Sequence, residues 1–373
     1  MKRWLRKMLL SLVISPVILF LGVGLYVQQP KFGSVPGGLH LEAIQKSPNY
    51  VDGQFQNLIA TPKFVEDSSS GSIWWNFLFA KKERLTPTDP IPTIKTDLRA
   101  LDKERDMVVW LGHSSYFIQM GGKRILIDPV FSDYASPVSF VNKAFQGTNI
   151  YSAEDMPEID YLLISHDHWD HLDYPTVLAL KPKIKNVVCG LGVGSYFEQW
   201  GFDKKIVHEA DWYTSLEMES GMTIHVLPAR HFSGRLLSPN KTLWAGFALV
   251  TPQRRIFYSG DSGYGPHFKE IGERLDGFDL VLMDNGQHDK RWPYLHMMPE
   301  DVAQATEDLK AKALLPGHTG KFAIANHPWD EPFKRITAAS QNKNYRLLTP
   351  VIGQPIELQN QQPLLSQWWE MIR

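Results

Sequence analysis

Residues 161–171 read YLLISHDHWDH, in which an apolar run of four residues leads directly into a polar loop. The loop places three histidines and two aspartates within six consecutive positions. Imidazole nitrogens and carboxylate oxygens are the ligands that zinc and similar divalent metals accept. His166 and His168 share one face of an extended segment, and Asp170 and His171 follow where the chain must turn. The stretch predicts a strand that ends in half of the ligands of a two-metal centre, in preference to a solvated polar loop.

The composition is that of a globular protein with a substantial core. Of its 373 residues, 43% are hydrophobic and 12% aromatic, enough for one large domain or two medium ones. The net charge is −1 and the pI is near 6.9, so we expect no nucleic-acid partner. Cys189 is the only cysteine, which excludes an internal disulfide and a zinc site built on several thiolates.

The N-terminus differs from the rest of the chain. Lysine or arginine at positions 2, 3, 6 and 7 precedes an uncharged stretch, Met8 to Val27. A helix of this length is about long enough to cross the roughly 30 Å hydrocarbon core of a bilayer. We therefore expect residues 1–27 to anchor the protein in a membrane, with the rest of the chain on the non-cytoplasmic (periplasmic) side. A signal segment, cleaved to release a secreted protein, is the alternative.

Residues 28–105 show no clear periodicity and contain seven widely spaced prolines. We interpret this segment as an arm that packs on the following domain and not as an independent fold. Within it, residues 73–79 read IWWNFLF, and basic residues follow at positions 81, 82 and 84. These aromatic residues either lie at a lipid interface or pack on the domain.

From residue 106 onward the pattern becomes regular. Hairpin-like strands come first, with a turn at Gly121 and Gly122, and strands later alternate with helices. Strands are predicted over 107–111, 116–120, 124–127, 161–164, 187–189, 223–227, 243–250, 255–259 and 280–283, and helices over 174–180, 194–200, 267–275, 299–310 and 331–340. This order predicts, for residues 106–373, an α/β fold in which two mixed β-sheets carry helices on their outer faces, an αββα sandwich.

Three later residues continue the metal pattern. His231, Asp261 and His318 each follow a predicted strand or an apolar run, and glycines beside Asp261 let the backbone approach an ion closely. A single histidine is more often structural than a ligand. The ordered set of three, following the loop at 166–171, indicates that all of them serve one centre.

This ordered series resembles the metallo-β-lactamase superfamily over roughly residues 106–336. The resemblance implies a hydrolase domain with that fold, two Zn²⁺ ions or another divalent metal, and attack by a hydroxide that the ions share. It assigns His166, His168 and His231 to one ion, Asp170, His171 and His318 to the other, and Asp261 to a bridge between them. Asp170 and Asp261 are accordingly expected to be catalytic as well.

Two further residues are expected close to the metals. Asp128 follows the apolar run 125–127, and we expect it to orient a ligand histidine by a hydrogen bond. His113, within the sequence GHSS at 112–115, either lines the site or satisfies a turn.

Longer motifs narrow the resemblance. Stretches similar to the phospholipase D that hydrolyses N-acylphosphatidylethanolamine occur at 110–113, 128–132, 163–174, 260–264 and 296–300. In that family a histidine at the position of His296 lies beside the metals and helps to stabilise charge on the phosphate; a residue that merely flanks a helix is the alternative. Residues 283–289 are more polar than in the family, so Asp284 and His288 are expected to alter the pocket or to add a contact outside the metal ligands.

The resemblance leads to one main functional hypothesis, a membrane-associated binuclear-metal phosphodiesterase of phospholipase D type that acts on N-acylphosphatidylethanolamine-like phospholipids. The alternative keeps the metals and hydrolyses a cyclic ester or amide, as lactonases and β-lactamases do. A non-catalytic envelope protein stabilised by zinc is a third hypothesis, but structural zinc sites are closed, whereas this set leaves a bridging position open. Expected partners are a phospholipid or other small-molecule substrate and the membrane, and the family implies a homodimer.

Overall fold

The structure is a computed structural model that describes residues 2–65, 83–218, 221–235, 238–358 and 366–373. The predicted aromatic segment 73–79 lies outside the described residues. Two seven-stranded β-sheets form the main body, and a separate two-stranded hairpin precedes them in the chain.

The N-terminal helix, α1, covers Lys2–Tyr26. Many of its apolar side chains are exposed; Phe20, for example, is 79% exposed. In the part of the chain that the structure describes, no helix is both long and apolar enough to cross a membrane. The expectation of a membrane-spanning segment within residues 1–27 is thus not supported.

The arm that follows α1 contains three short elements: helix α2 (Gly38–Gln45) and the hairpin strands β1 (Tyr50–Val51) and β2 (Gln54–Phe55). The sequence did not predict them, because each is too short to show a period. Phe32, just before α2, is buried edge-on against Trp169, with ring centroids 5.1 Å apart. The arm thereby contacts the loop at 166–171.

The first sheet, sheet I, carries that loop. Its strands are β3 (Met107–Trp110), β4 (Tyr116–Met120), β5 (Lys123–Ile127), β6 (Tyr161–Ile164), β7 (Val187–Gly190) and β8 (Val207–Ala210), with β16 (Pro355–Glu357) at the β3 edge. Strands β16 to β5 pair antiparallel, and β5 to β8 pair parallel. Gly121 and Gly122 form the predicted β4–β5 turn, with φ values of 58° and 71° that suit glycine.

The second sheet, sheet II, supplies the remaining strand ends. It contains β9 (Thr214–Glu217), β10 (Thr223–Leu227), β11 (Gly246–Val250), β12 (Arg255–Tyr258), β13 (Leu280–Asp284), β14 (Ala313–Gly317) and β15 (Arg346–Leu347), in that order across the sheet. Strands β9 to β12 pair antiparallel and β12 to β15 pair parallel, so this sheet is also mixed.

Three apolar layers hold the two sheets and their helices together. Leu163 of β6 belongs to the core between the sheets, whereas its neighbours Leu162 and Ile164 pack outward. The outer layer of sheet I includes helices α3 (Tyr174–Leu180) and α4 (Gly194–Gln199), and that of sheet II includes α5 (His267–Arg274), α6 (Pro299–Asp308) and α7 (Glu331–Ala339). The predicted arrangement of two mixed sheets with outer helices is confirmed.

Several strands differ from the prediction. The four edge strands β8, β9, β15 and β16 were not predicted, because they are short and carry partly exposed residues in place of an apolar run. Strand β14 was recognised only as the apolar run before His318. The strand predicted over 243–250 begins only at Gly246. The backbone N–H of Leu243 instead donates to the carbonyl oxygen of Leu191, which directly follows β7 of sheet I.

An ionic contact fastens the arm to sheet I. His40 of α2 lies 2.5 Å through Nδ1 from a carboxylate oxygen of Glu209 and 2.6 Å through Nε2 from one of Glu198. The hydrogen bond to Glu209 is the main cause that raises the pKa of His40 from 6.5 to about 9, against the effect of burial.

We predict that His40→Gln lowers the free energy of unfolding by about 1 kcal/mol at pH 6, the scale of a partly exposed ion pair. Because the pKa is raised in the folded state, the stabilisation is complete below 6.5 and is lost as the pH rises through about 9. Urea unfolding of both proteins between pH 6 and pH 10 measures this difference. A difference that stayed constant over the whole range would contradict the prediction.

Candidate metal centre

The candidate ligands lie at one edge of the sandwich, at the carboxyl ends of strands from both sheets. The loop with His166 follows β6, and His231 follows β10 after a short extension. Asp261 comes three residues after β12, and His318 directly follows β14. Since β6 is buried on both faces, its apolar run continues up to the first residue of the loop.

A first cluster contains His166, His168, His231 and Asp261. His166 Nε2 lies 2.9 Å from His168 Nδ1, and His231 Nε2 lies 3.3 Å from the same atom. Asp261 Oδ2 is 3.7 Å from Nε2 of both His166 and His231. The four side chains therefore point their ligand atoms at one small volume.

A second cluster shares Asp261 with the first. His318 Nε2 lies 3.2 Å from Asp170 Oδ2 and 3.3 Å from Asp261 Oδ2. His171 Nε2 lies 3.5 Å from Asp170 Oδ2 and 3.1 Å from Asp261 Oδ1. Asp261 thus stands between two groups of imidazoles, one carboxylate oxygen facing His171 and the other facing His166, His231 and His318.

These separations fit the edges of a metal coordination shell. Zinc–ligand bonds of about 2.0–2.1 Å in a tetrahedron place neighbouring ligand atoms roughly 3.3 Å apart. His171 Nε2 and Asp261 Oδ1 are buried and make no hydrogen bond with any residue that the structure describes, although they lie 3.1 Å apart. Buried polar atoms without a hydrogen bond are costly, and a divalent cation would satisfy both. The residues present therefore fit a divalent metal ion at this position.

The histidines of the first cluster favour the neutral form that binds a metal ion. Burial is the main cause that lowers the pKa of His166, His168 and His231 below the usual value. A neutral imidazole is the form that binds a metal, so no proton has to leave these three rings at neutral pH.

The second cluster is more strongly charged. Burial acts to raise the pKa of Asp170 and Asp261, but the adjacent His171 and further histidines hold it well below the usual value. For His318 burial acts to lower the pKa, yet Asp261 and Asp284 together raise it to about 10. Without a metal ion, the nearby carboxylates favour the protonated form of the imidazoles that face them. A bound cation would displace those protons.

Asp128 is the hydrogen-bond centre beneath the loop. Its Oδ2 lies 2.8 Å from His171 Nδ1 and accepts from Tyr258 Oη at 2.6 Å, and its Oδ1 accepts from the backbone N–H of Ser165 at 2.8 Å. The structure thus places Asp128 where it can orient a ligand histidine. The sequence did not single out Ser165 and Tyr258, although both stand next to the motifs, because a hydroxyl beside a ligand carries no pattern of its own.

Asp284 joins His296 to the second cluster. One carboxylate oxygen lies 3.0 Å from His318 Nδ1, and the other lies 2.9 Å from His296 Nδ1. Although burial opposes it, the two histidines lower the pKa of Asp284 to about 2. The His296 and His318 rings stack at 5.0 Å between centroids. The structure thus brings Asp284 and His296 to the candidate site, where both belong to a group with Asp261 and His318 whose ligand atoms lie close enough to hold a metal ion.

His113 and His288 have different surroundings. His113 Nε2 lies 2.9 Å from Asp170 Oδ2, so this residue lies beside the second cluster and also occupies a turn, with a φ of 53°. His288 is not brought to the ligands: it stacks on His327 at 4.5 Å and lies 3.6 Å from Glu331. The adjacent Gln287, which has a φ of 56°, belongs to the lining of the cavity over the candidate ligands.

Positive φ values recur at the ligand shell. Asp128 and His318 have φ values of 39° and 55°, in a region that costs a side-chain-bearing residue roughly 1–2 kcal/mol. Such strain persists where surrounding contacts demand it. At both positions the strained residue contacts a metal-ligand candidate or is one.

A cavity of about 520 Å³ opens over both clusters. The candidate ligands His168, Asp170, His231, Asp261 and His318 contribute to its floor, together with His296. Its walls are mostly apolar and aromatic, and come from Phe64, Trp169, Phe232, Trp292, Leu295 and Ile324. An apolar cavity with polar groups concentrated at its base is the usual form of a small-molecule site.

Comparison with known proteins agrees with this geometry. The sequence model of the beta-lactamase superfamily domain matches residues 123–319. N-acyl-phosphatidylethanolamine-hydrolyzing phospholipase D 1 of Caenorhabditis elegans is 31% identical over 263 residues, which are 66% of this chain and 74% of that protein. The mitochondrial N-acyl-phosphatidylethanolamine-hydrolyzing phospholipase D of Saccharomyces cerevisiae is 33% identical over 237 residues, 61% of this chain and 50% of that protein.

A solved structure shows the same fold. Igni18, a metallo hydrolase from Ignicoccus hospitalis, aligns with a TM-score of 0.53 and 19% identity over 69% of this chain and 99% of that chain. The family predicted from the motifs is confirmed. The chain belongs to the metallo-β-lactamase superfamily, as a metal-dependent hydrolase near the branch of the N-acyl-phosphatidylethanolamine-hydrolysing phospholipases D.

Proposed function

We propose that the protein is a phosphodiesterase of phospholipase D type, with two zinc ions, that acts on N-acylphosphatidylethanolamine-like phospholipids. The observation that carries this proposal is the cavity of about 520 Å³, apolar in its walls and polar at its floor, above two clusters of ligand atoms. An amphiphilic diester matches this division, with its phosphate at the floor and its chains against the walls. The names of the nematode and yeast relatives point to the same substrate.

Zinc ions held by the two clusters of candidate ligands would supply a water molecule of lowered pKa and would polarise a phosphoryl oxygen. The chain's own residues then have to manage the leaving group. His296 lines the cavity, and its Nδ1 lies against the Asp284 carboxylate at 2.9 Å. His296 Nε2 can therefore give a proton to the departing alcohol oxygen as the P–O bond breaks, while Asp284 stabilises and orients the ring.

We further propose that α1 holds the catalytic domain beside a membrane, on its non-cytoplasmic side. The end of α1 is joined to the loop 137–141, because Tyr26 Oη donates to Pro137 O at 2.5 Å. In that loop Phe140 is 81% exposed. Ala135 and Asn142, on either side of the loop, belong to the cavity wall. The exposed apolar groups and the cavity therefore lie close together, which favours a substrate taken from a lipid surface.

The substrate is tested with zinc-loaded protein and vesicles that contain N-acylphosphatidylethanolamine. The expected products are phosphatidic acid and the free N-acylethanolamine, measured by mass spectrometry. A lactone and a chromogenic β-lactam are assayed in parallel. Faster turnover of either cyclic substrate, without release of phosphatidic acid, would overturn the phospholipase proposal in favour of the cyclic ester or amide.

Removal of metal should abolish turnover and leave the fold largely intact. Dialysis against a strong chelator is expected to reduce hydrolysis at least a hundredfold, because no protein group here can replace the activated water. Added zinc should restore it at two ions per chain, measured by elemental analysis. Activity that survived in protein shown to contain less than one ion per ten chains would contradict this prediction.

Asp170→Asn separates a catalytic from a structural metal site. We expect kcat to fall by at least a hundredfold, since the amide removes the charge that faces His113, His171 and His318. Far-ultraviolet circular dichroism and the urea midpoint should change little. Lost stability with unaltered turnover per folded molecule would instead support the zinc-stabilised envelope protein.

His296→Gln should act selectively on poor leaving groups. With an alkyl phosphodiester we expect kcat to fall by about 10²–10³, the usual contribution of a general acid. With bis(p-nitrophenyl) phosphate the loss should be below about tenfold, because p-nitrophenolate leaves without a proton. His208→Gln, on β8, is the matched control and should change neither rate. Equal losses with both substrates would exclude proton donation by His296.

A further inference from the structure

The arm contributes a short, firmly held segment, residues 57–65, to the edge of the site. Asn57 donates through Nδ2 to His231 O at 2.8 Å and accepts through Oδ1 from His231 N at 3.0 Å. Arg230 Nε donates to Thr61 Oγ1 at 3.0 Å, and Val65 N donates to Arg291 O at 3.1 Å. The segment is thus attached both to the loop of a metal-ligand candidate and to the loop at 291–295.

Lys63 lies between these attachment points and belongs to the cavity wall, as does the adjacent Phe64. Its Nζ lies 4.7 Å from the centroid of the Phe232 ring, a cation–π distance. On its other side the Phe232 ring contacts the candidate metal centre, because it lies 4.6 Å from the His168 ring. A single aromatic ring therefore separates the ammonium group from a metal-ligand candidate.

The charge of Lys63 stands out against its surroundings. The cavity wall is otherwise largely apolar and aromatic, and Lys63 makes no ion pair with the residues that the structure describes. Its side chain is exposed and thus within reach of a bound anion, and partial desolvation lowers the pKa of its ammonium group. A cation that faces a cavity and lacks a carboxylate partner in the described chain is suited to an anion that arrives with the substrate.

We propose that Lys63 determines specificity by binding an anionic oxygen of the substrate, and that the cavity therefore prefers negatively charged amphiphiles to neutral ones. This inference rests on the proposed function, because it requires that the substrate binds in this cavity. The oxygen is a non-bridging oxygen of the phosphodiester itself. Lys63 therefore acts on substrate affinity and not on the bond that breaks.

The test uses a pair of aromatic probes of similar size and different charge. Full-length zinc-loaded protein is titrated with 8-anilinonaphthalene-1-sulfonate, which is anionic, and with N-phenyl-1-naphthylamine, which is neutral. Lys63→Gln should weaken the anionic probe about fivefold, in line with a partly exposed ion pair, and leave the neutral one unchanged. Lys63→Arg should keep the affinity. Lys46→Gln, an exposed lysine elsewhere on the arm, is the control for probe bound outside the cavity.

Turnover provides a second measurement. With bis(p-nitrophenyl) phosphate, Lys63→Gln should raise KM about fivefold at unchanged kcat, and with a neutral lactone, where turnover is measurable, it should change neither. Unchanged affinity for the anionic probe, or equal losses for both probes, would overturn the assignment of Lys63. Absence of phosphodiester turnover in the wild-type protein would overturn the proposed function alone, because the probe titration does not depend on hydrolysis.

Discussion

Attraction between buried carboxylates and imidazoles at one edge of the sandwich is the constraint on which the rest of the site depends. Asp261 lies within 3.7 Å of ligand nitrogens from three different loops, those that carry His166, His231 and His318. Charges of this kind are not stable in a protein interior unless they are paired. The need to pair these buried charges therefore holds the loops in one arrangement, and a divalent cation would pair them best.

The two sheets contribute their candidate ligands in different ways. Sheet I presents a continuous loop of ligands after a strand that is buried on both faces, so the loop begins from a rigid base. Sheet II presents single residues, each at the end of a separate strand. Hydrogen bonds from outside the ligand set orient both groups: Asp128 serves His171, and Asp284 serves His318 and His296. Each of these carboxylates positions a histidine ring of the candidate site.

Those parts of the molecule that repeat a simple pattern could be predicted from the sequence. The strand at 161–164 and the helix at 174–180 have the predicted bounds, because an apolar run and a proline near a helix start are local signals. The convergence of His231, Asp261 and His318 could be anticipated only through the order of the motifs. The arm could not: Asn57 and Lys63 reach the site by tertiary contacts, and nothing in their neighbourhood has a period. His288 contacts His327 and Glu331 and not the candidate ligands, and its sequence neighbours do not indicate this.

The pairing of β16 with β3 has a consequence for how the protein is made. Residues 355–357 complete the edge of a sheet whose first strand begins at residue 107, so most of the polypeptide must leave the ribosome before that sheet is finished. The ligand candidates are similarly spread, from His166 to His318. Contacts between such distant parts of a chain form slowly. The candidate ligands can therefore come together only after the chain has been synthesised through His318.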